Sequence, residues 1–266
     1  MYVNKNILEG GLRIEGIHKE STGENPLVSV ITVVFNGSEK IQHTINSVAS
    51  QTYESIEFIV YDGGSTDNTV DILVQYSHQI DYWKSEKDFG IYHAMNKGVS
   101  KANGNWIIFL GSDDYLADEY AIENMVRISA PEIACIYGDV IYDNGYRFCS
   151  RLNSLMLISN NIHHQSALYN KKLFNTFKYD ESCKVYSDYE LNLIIYKNGC
   201  QTSKLNRTIS RCGRGGISDT NKELAKSEIK YLRRKHFNII HSIFLDILME
   251  ILLSIARVKR VITTHT

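Results

Sequence analysis

The stretch FIVYDGGSTDNT, residues 58–69, runs from an apolar segment straight into two aspartates, two glycines and a set of hydroxyl groups. A second stretch, WIIFLGSDDY at 106–115, ends in the same way on Asp113 and Asp114. Carboxylates presented where a buried strand gives out can hydrogen-bond a base or a ribose, or hold a hard cation that neutralises phosphates. Gly63 and Gly64 let the backbone turn tightly, and Ser65, Thr66 and Asp67 suit the cap of a following helix. Taken alone, the first stretch therefore fits a plain turn as well as a site. The second acidic strand end favours the site.

Three other groups could do chemistry. KVYSDYELNLIIYKNG puts Asp188 and Glu190 at the start of a helical pattern, where an acid also simply complements the helix dipole. On a helix the two would point in different directions and would not share one role. His163, His164 and Gln165 are consecutive. Adjacent histidines do not project to one face, which argues against a two-histidine metal site, and either ring also suits an ordinary structural hydrogen bond. RCGRGGIS, 211–218, joins Arg211 and Arg214 to Gly215, Gly216 and Ser218. It is either a basic flap that closes over a diphosphate or a solvated loop.

The elements that must position these residues alternate. LVSVITVVFN (27–36) reads as a buried strand stopped by Asn36-Gly37, and Ile41, Ile45 and Val48 give 38–52 a helical apolar face. IEFIVYD (56–62) is a second strand, so strand, helix and strand imply a parallel crossover. A helix at 69–77, a short strand at 80–86, a helix at 91–102 and a central strand at 106–114 follow. This order predicts a doubly wound sheet whose ligands sit beyond the carboxyl ends of its strands, so that Asp62, Asp113 and Asp114 converge on one crevice.

Composition narrows the function classes. At 266 residues the chain has room for one large α/β domain, alone or with an appended segment. A net charge of -1 argues against a nucleic-acid binder driven by overall charge. The five cysteines are odd in number and show no CxxC spacing, which fits a reducing, cytoplasmic setting better than a disulfide framework or a zinc knuckle. The first residues lack the apolar core of a signal peptide, and no segment is long and charge-free enough to read as a membrane span.

As an ordered set, VSVITVVFN, YDGGSTDNT, SEKDFGIYHAMNKGVSKANGNWIIFLGSDD, HHQSALYNK and SDYEL resemble the family 2 glycosyltransferases over roughly residues 27–220. The middle block is similar to the branch that carries a "GIYDAMNKG" segment, found among bacterial surface-polysaccharide enzymes. The resemblance implies an α/β, Rossmann-like GT-A domain with a mainly parallel central sheet, and inverting sugar transfer from a nucleoside diphosphate, UDP above the others. It implies that Thr32, Val34 and Asn36 at the first strand end line the nucleotide pocket, with Asp62 facing the base. Asp88 and the corner Asn96-Lys97-Gly98 fall near the ribose, diphosphate or sugar. Ser112, Asp113 and Asp114 form the DxD-like motif, with Asp113 as carboxylate to Mg²⁺ or Mn²⁺. His164 falls near the diphosphate or acceptor, and Asp188 takes the general base's place with Glu190 in reserve, while Arg214 is a diphosphate candidate from the RCGRGGIS segment itself. The motif departs from the family pattern at Gly111, which stands where an acid is expected. Metal binding should then depend on ligands from the nucleotide's phosphates.

Residues 221–266 change character. Ser242, Asp246, Glu250 and Ser254 mark a narrow polar stripe on an otherwise apolar helix flanked by Arg233-Arg234-Lys235 and Arg257, Lys259 and Arg260. Such a segment packs on the catalytic domain, pairs with a partner helix, or lies in a membrane interface against anionic headgroups. Peripheral membrane contact is the expectation, with a saccharide or lipid-linked acceptor. Two competitors stay in view. A sugar-phosphate nucleotidyltransferase would carry a Gly-rich, arginine-bearing loop where VVFNGSEK stands, and a degenerate nucleotide-sugar-binding subunit is suggested by Gly111. An NAD enzyme lacks its GxGxxG turn.

Overall fold

A computed structural model describes residues 8–213 and 221–263. In chain order, β1 (Leu8–Gly10), β2 (Val28–Val34), α1 (Ile41–Ala49), β3 (Ile56–Asp62), α2 (Thr69–Gln75), β4 (Tyr82–Ser85), α3 (Ile91–Lys101) and β5 (Trp106–Gly111) build the first half. The second half has β6 (Tyr115–Leu116), α4 (Ala121–Val126), β7 (Cys135–Tyr142), β8 (Arg147–Phe148), β9 (Ala167–Asn170), α5 (Ser187–Lys197) and β10 (Thr202–Cys212). Two helices follow, which we number α6 (Lys222–His236) and α7 (Ile239–Thr263).

The strands join in the order β1-β4-β3-β2-β5-β9-β7-β10-β6, with β8 beside β7. The heart of the sheet is parallel: β2 pairs with both β3 and β5, and β3 with β4. These strands are β-branched and buried along nearly their whole length because helices cover both faces. Alternation along the strands sorts the core into two layers. Ile31, Ile59, Ile107 and Phe109 meet Tyr92 and Met95 of α3 and Leu191 of α5 on one face. Val30, Phe58, Val60 and Ile108 meet Ile41 and Ile45 of α1, Leu73 of α2 and Ile122 of α4 on the other. The doubly wound reading holds.

Two features of the sheet differ from the expected alternation. The antiparallel strand β9 sits between β5 and the parallel pair β7 and β10, so the flank beyond β5 is mixed. The polar lead-in also belongs to the sheet, since β1 pairs with β4. Its charges answer buried acids: Arg13 pairs with Glu57, which is 1% exposed, and Lys19 Nζ lies 3.0 Å from Asp81. A buried carboxylate needs such partners, and these come from a segment with no hydrophobic pattern to betray it.

The C-terminal helices pack on the α3 and α5 face, where Ile229 and Leu232 of α6 and Leu245 and Met249 of α7 join the core. Among the described residues no helix is long and apolar enough to cross a membrane.

Candidate active site

At the end of β5 the chain turns, with Asp114 N–H donating to Gly111 O at 3.2 Å. The Thr44 hydroxyl of α1 pins this turn, 2.8 Å from the Asp114 carbonyl oxygen and 3.0 Å from that of Ser112. The two aspartates then part. Asp113 faces outward, its side chain 47% exposed and 3.9 Å from Lys40 Nζ. Asp114 faces inward, accepting from Gln165 Nε2 and from the Gly213 N–H, each at 3.1 Å. Burial, and then the charge of Asp113, raise the Asp114 pKa above the ordinary carboxylate range. Two glycines make room for the pair. A Cβ on Gly111 would overlap Asp114 Oδ2, and one on Gly213 would lie 2.7 Å from Asp113 Oδ2.

Across from this pair, Asp188 stands in the first turn of α5 and is 7% exposed. Asn160 Nδ2 donates to its Oδ2 at 2.8 Å, His164 Nδ1 lies 3.1 Å from the same oxygen, and the Tyr92 hydroxyl donates to Oδ1 at 3.3 Å. A buried relay fixes the amides: Tyr169 donates to Asn192 Oδ1 at 2.9 Å, and Asn192 Nδ2 donates to Asn160 Oδ1 at 3.0 Å. With its oxygen already occupied, Asn160 can offer Asp188 only its NH₂. Burial, and then the charge of Asp188, push the Tyr92 phenol well above its ordinary pKa, so Tyr92 keeps its proton and donates. The longest of these contacts is the one on Oδ1, while Oδ2 carries the other two.

Asp113, Asp114, His164, Gln165, Tyr186 and Asp188 line one cavity of about 180 Å³. His163 also borders this cavity, with its Nε2 3.0 Å from Tyr142 Oη and its ring edge-on to Phe148. A larger groove, about 1040 Å³, opens beyond the amino ends of β2 and β5 around Asn103, Asn105 and Arg127. It lies at the opposite rim from these acids.

The remaining candidates from the sequence occupy other places. Asp62 is buried, and its carboxylate accepts from the Gly64 and Ser65 N–H groups at 3.0 and 2.9 Å, from the Ser65 hydroxyl and from Ser85 Oγ at 2.6 Å. It thereby shapes the DGGS loop. Asn36, at φ 51°, donates its N–H to Ser65 Oγ and accepts from Thr66 N–H, tying the end of β2 to that loop. Asp88 borders the same loop, since a Cβ on Gly63 would lie 2.6 Å from its Oδ2. Thr32 and Val34 are buried on the α1 side of β2, and Thr32 Oγ1 has no hydrogen-bond partner. Asn96 clamps Tyr179 through both its oxygen and its amide, Lys97 pairs with Glu86 at 2.7 Å, and Gly98 lets α3 close on Ile31 of β2. None of Thr32, Asp62, Asp88, Asn96, Lys97 or Gly98 lines the cavity that holds Asp188. Arg214, Gly215, Gly216 and Ser218 lie outside the described residues.

The family model for glycosyl transferase family 2 matches residues 29–189, more than half of the chain and the whole span from β2 to Asp188. The chain belongs to that family. This family 2 glycosyltransferase is 31% identical over 208 residues to a PGL/p-HBAD biosynthesis glycosyltransferase of Mycobacterium bovis, covering 73% of this chain and 80% of the relative. The putative glycosyltransferase EpsH of Bacillus subtilis is 32% identical over 127 residues, 46% of this chain and 37% of its own. In fold the chain is similar to S. aureus TarS 1-349 in complex with UDP-GlcNAc, at TM-score 0.66 and 18% identity over 84% of this chain and 71% of that one. It is also similar to the mannosyltransferase PcManGT of Pyrobaculum calidifontis in complex with GDP-Man and Mn²⁺, at TM-score 0.57 and 17% identity over 83% and 64%. The GT-A fold is therefore secure.

The family implies a divalent cation. Among the described residues no three His, Cys, Asp or Glu side chains gather into a site that would hold an ion unaided. What stands at the DxD-like turn is one open carboxylate, Asp113, backed by a buried one whose oxygens are already bonded. That set fits Mg²⁺ or Mn²⁺ shared with a diphosphate, because such ions take one or two carboxylates and complete their shell from phosphate and water.

Tyr92, Asn160 and Gly213 contact the site aspartates, yet sequence reasoning assigned them no role, and it named Gln165 only as part of the His163–Gln165 cluster without a partner. Each contacts a site aspartate from at least 28 positions away, as Gln165 does Asp114 across 51 residues. Spacing along the chain carries no signal for such pairs.

Proposed function

We propose that this chain is an inverting hexosyltransferase that moves a sugar from a nucleoside-diphosphate donor, a UDP-sugar foremost, to a saccharide or lipid-linked acceptor. The pathway in this reading is surface-polysaccharide assembly, whether O-antigen and lipopolysaccharide, capsule or exopolysaccharide. The observation that carries it is that Asp113 and Asp188 line one cavity from two different strand and helix ends. Inverting transfer needs a base for the acceptor hydroxyl and a separate place for the departing diphosphate. Asp188 is the base, held in a fixed orientation by Tyr92, Asn160 and His164, and it accepts the proton on its carboxylate. Asp113 would hold Mn²⁺ or Mg²⁺, and the ion when bound neutralises charge growing on the leaving diphosphate. Asn36, Asp62 and Asp88 support the loops that receive the nucleotide, and Arg214 is assigned to the diphosphate.

The nucleotide complexes of TarS and PcManGT and the biosynthetic name of the mycobacterial relative support this assignment. In the same reading residues 27–220 are the transferase unit and 221–266 a helical segment that rests on the cytoplasmic face of the inner membrane. The exposed face of α7, with Ile240, Phe244, Ile247 and Ile251, supports the membrane contact. The test is thermal stabilisation of the purified protein by UDP, GDP, dTDP and NAD, each with and without Mn²⁺. One diphosphate should raise the melting temperature, and more so with metal. A folded protein that answers to no diphosphate contradicts the proposal and favours a degenerate subunit.

A further inference from the structure

The helix that carries Asp188 has Tyr186 at its N-cap position, whose side chain makes no cap bond to the first turn. The amides just ahead of it are instead taken up from outside. Glu228 of α6 accepts from Lys184 N–H at 2.6 Å on one oxygen, and from Val185 and Tyr186 N–H at 2.9 Å each on the other. Three successive N–H groups around one anion form a backbone nest at the positive end of α5. Glu228 is 7% exposed, so these bonds are shielded from water. Val185 and Tyr186 are themselves walls of the Asp188 cavity. The nest therefore sets both the wall and the base two residues further on.

The same helix grips α5 a second time. Lys235 and His236 of α6 approach Glu190 at 2.9 and 2.7 Å, and Tyr231 and Lys235 each reach Asp180 Oδ2 at 3.0 Å. The acids on the α5 side are thus met by polar side chains of α6, Lys235 among them, while at the N-terminus the order is reversed and α6 supplies the anion. An attachment needed only to park a C-terminal helix would not require a buried carboxylate centred on three amides next to the base.

We infer that Glu228 is a positioning residue for transfer, and that α6 acts as a clamp which fixes Asp188 for the acceptor hydroxyl. This rests on Asp188 being the base. Glu228→Gln keeps the size of the side chain but turns an NH₂ group toward an amide that must donate, so the nest loses its anion and at least one bond. A shift of about 1 Å in a reacting group costs up to about a hundredfold in rate.

The experiment compares wild type, E228Q and D188N. Nucleoside-diphosphate release is followed over a panel of UDP-, GDP- and dTDP-hexoses, and amide hydrogen exchange over 182–197 is measured alongside. E228Q should lose protection at 184–186 and drop kcat roughly ten- to a hundredfold, with donor KM and UDP-induced stabilisation within about twofold of wild type. Retained protection at 184–186, or lost protection with unchanged kcat, overturns the inference. So does an equal loss of kcat, UDP stabilisation and melting temperature, which marks a purely structural acid. If D188N turns over like wild type, the base assignment fails instead, whatever E228Q does.

Discussion

Gly111 is the residue at which the acidic motif departs from its family, and restoring an acid there tests how the site is built. Its φ lies outside the left-handed region, so a side chain meets no backbone penalty. The obstacle is spatial, because a Cβ would overlap Asp114 Oδ2 and lie 3.4 Å from Asp113 Oδ1. Gly111→Asp, and even Gly111→Ala, must therefore expel the Asp114 carboxylate from its bonds with Gln165 and Gly213. Hydrogen bonds to a charged group contribute roughly 1.5–3 kcal/mol each. If one of the two is recovered on relaxation, the loss is about 2 kcal/mol. For a chain of this size that lowers the melting temperature by roughly 4–8 °C. Scanning fluorimetry with UDP and Mn²⁺ reads both consequences: a lower melting temperature, and weaker metal-dependent stabilisation than wild type. A G111D protein that melts no lower and responds more strongly to Mn²⁺ would refute the reasoning, and would show Gly111 to be a missing ligand instead of room for Asp114.

Asp114→Asn should gain stability relative to wild type as pH rises. Burial and Asp113 raise the Asp114 pKa, so the folded state holds its proton more tightly than the unfolded one. That contribution is present below the unfolded value, about 3.9, and is lost as pH rises through the higher folded value. Melting curves of both proteins over this range should diverge upward with pH, and parallel curves would contradict the assignment. Arg233, with no exposed side-chain surface, lies 2.6 Å from Asp246 on α7. The approach is off the hydrogen-bond direction and leaves Nε without an acceptor, so the attraction is largely coulombic. Asp246→Ala should cost about 3–5 kcal/mol by stranding a buried charge, while the double change R233M with D246L restores most of it. Denaturant midpoints decide the matter, and equal losses in the two proteins would count against it. Exposed Ile240 and Phe244, changed together to serine, should abolish sedimentation with anionic vesicles without lowering the melting temperature. Undiminished vesicle binding would remove the membrane from the account.

The parallel heart of the fold was legible because its strands are long, β-branched and separated by helices of plain period, as VSVITVV and IEFIVYD are. β1 and β9 were not, since LEG and ALYN are too short to show a period and are defined by partners far along the chain. Strand-end position singled out Asp113 and Asp114, which line the cavity, and Asp62, which does not, and the ordered motifs singled out Asp188. Sequence could not tell that Asp62 turns its carboxylate into its own loop, or that Asn96 and Gly98 serve the packing of α3. The same residue type suits a ligand or a turn, and only the distance to a donor decides. Glu228 was invisible for the opposite reason: in KELAKSEIKYL it reads as one more charge on an amphipathic helix.

The central claim is that Asp188 takes the acceptor's proton while Asp113 serves the diphosphate. The most direct measurement is sugar transfer by Asp188→Asn beside wild type, with a donor that the wild type uses and Mn²⁺ present, together with the UDP-induced melting shift of both. The account predicts transfer reduced by at least a hundredfold, the scale of a general base, with the UDP shift retained. Transfer within a fewfold of wild type would contradict it and move the base elsewhere in the cavity, His164 first.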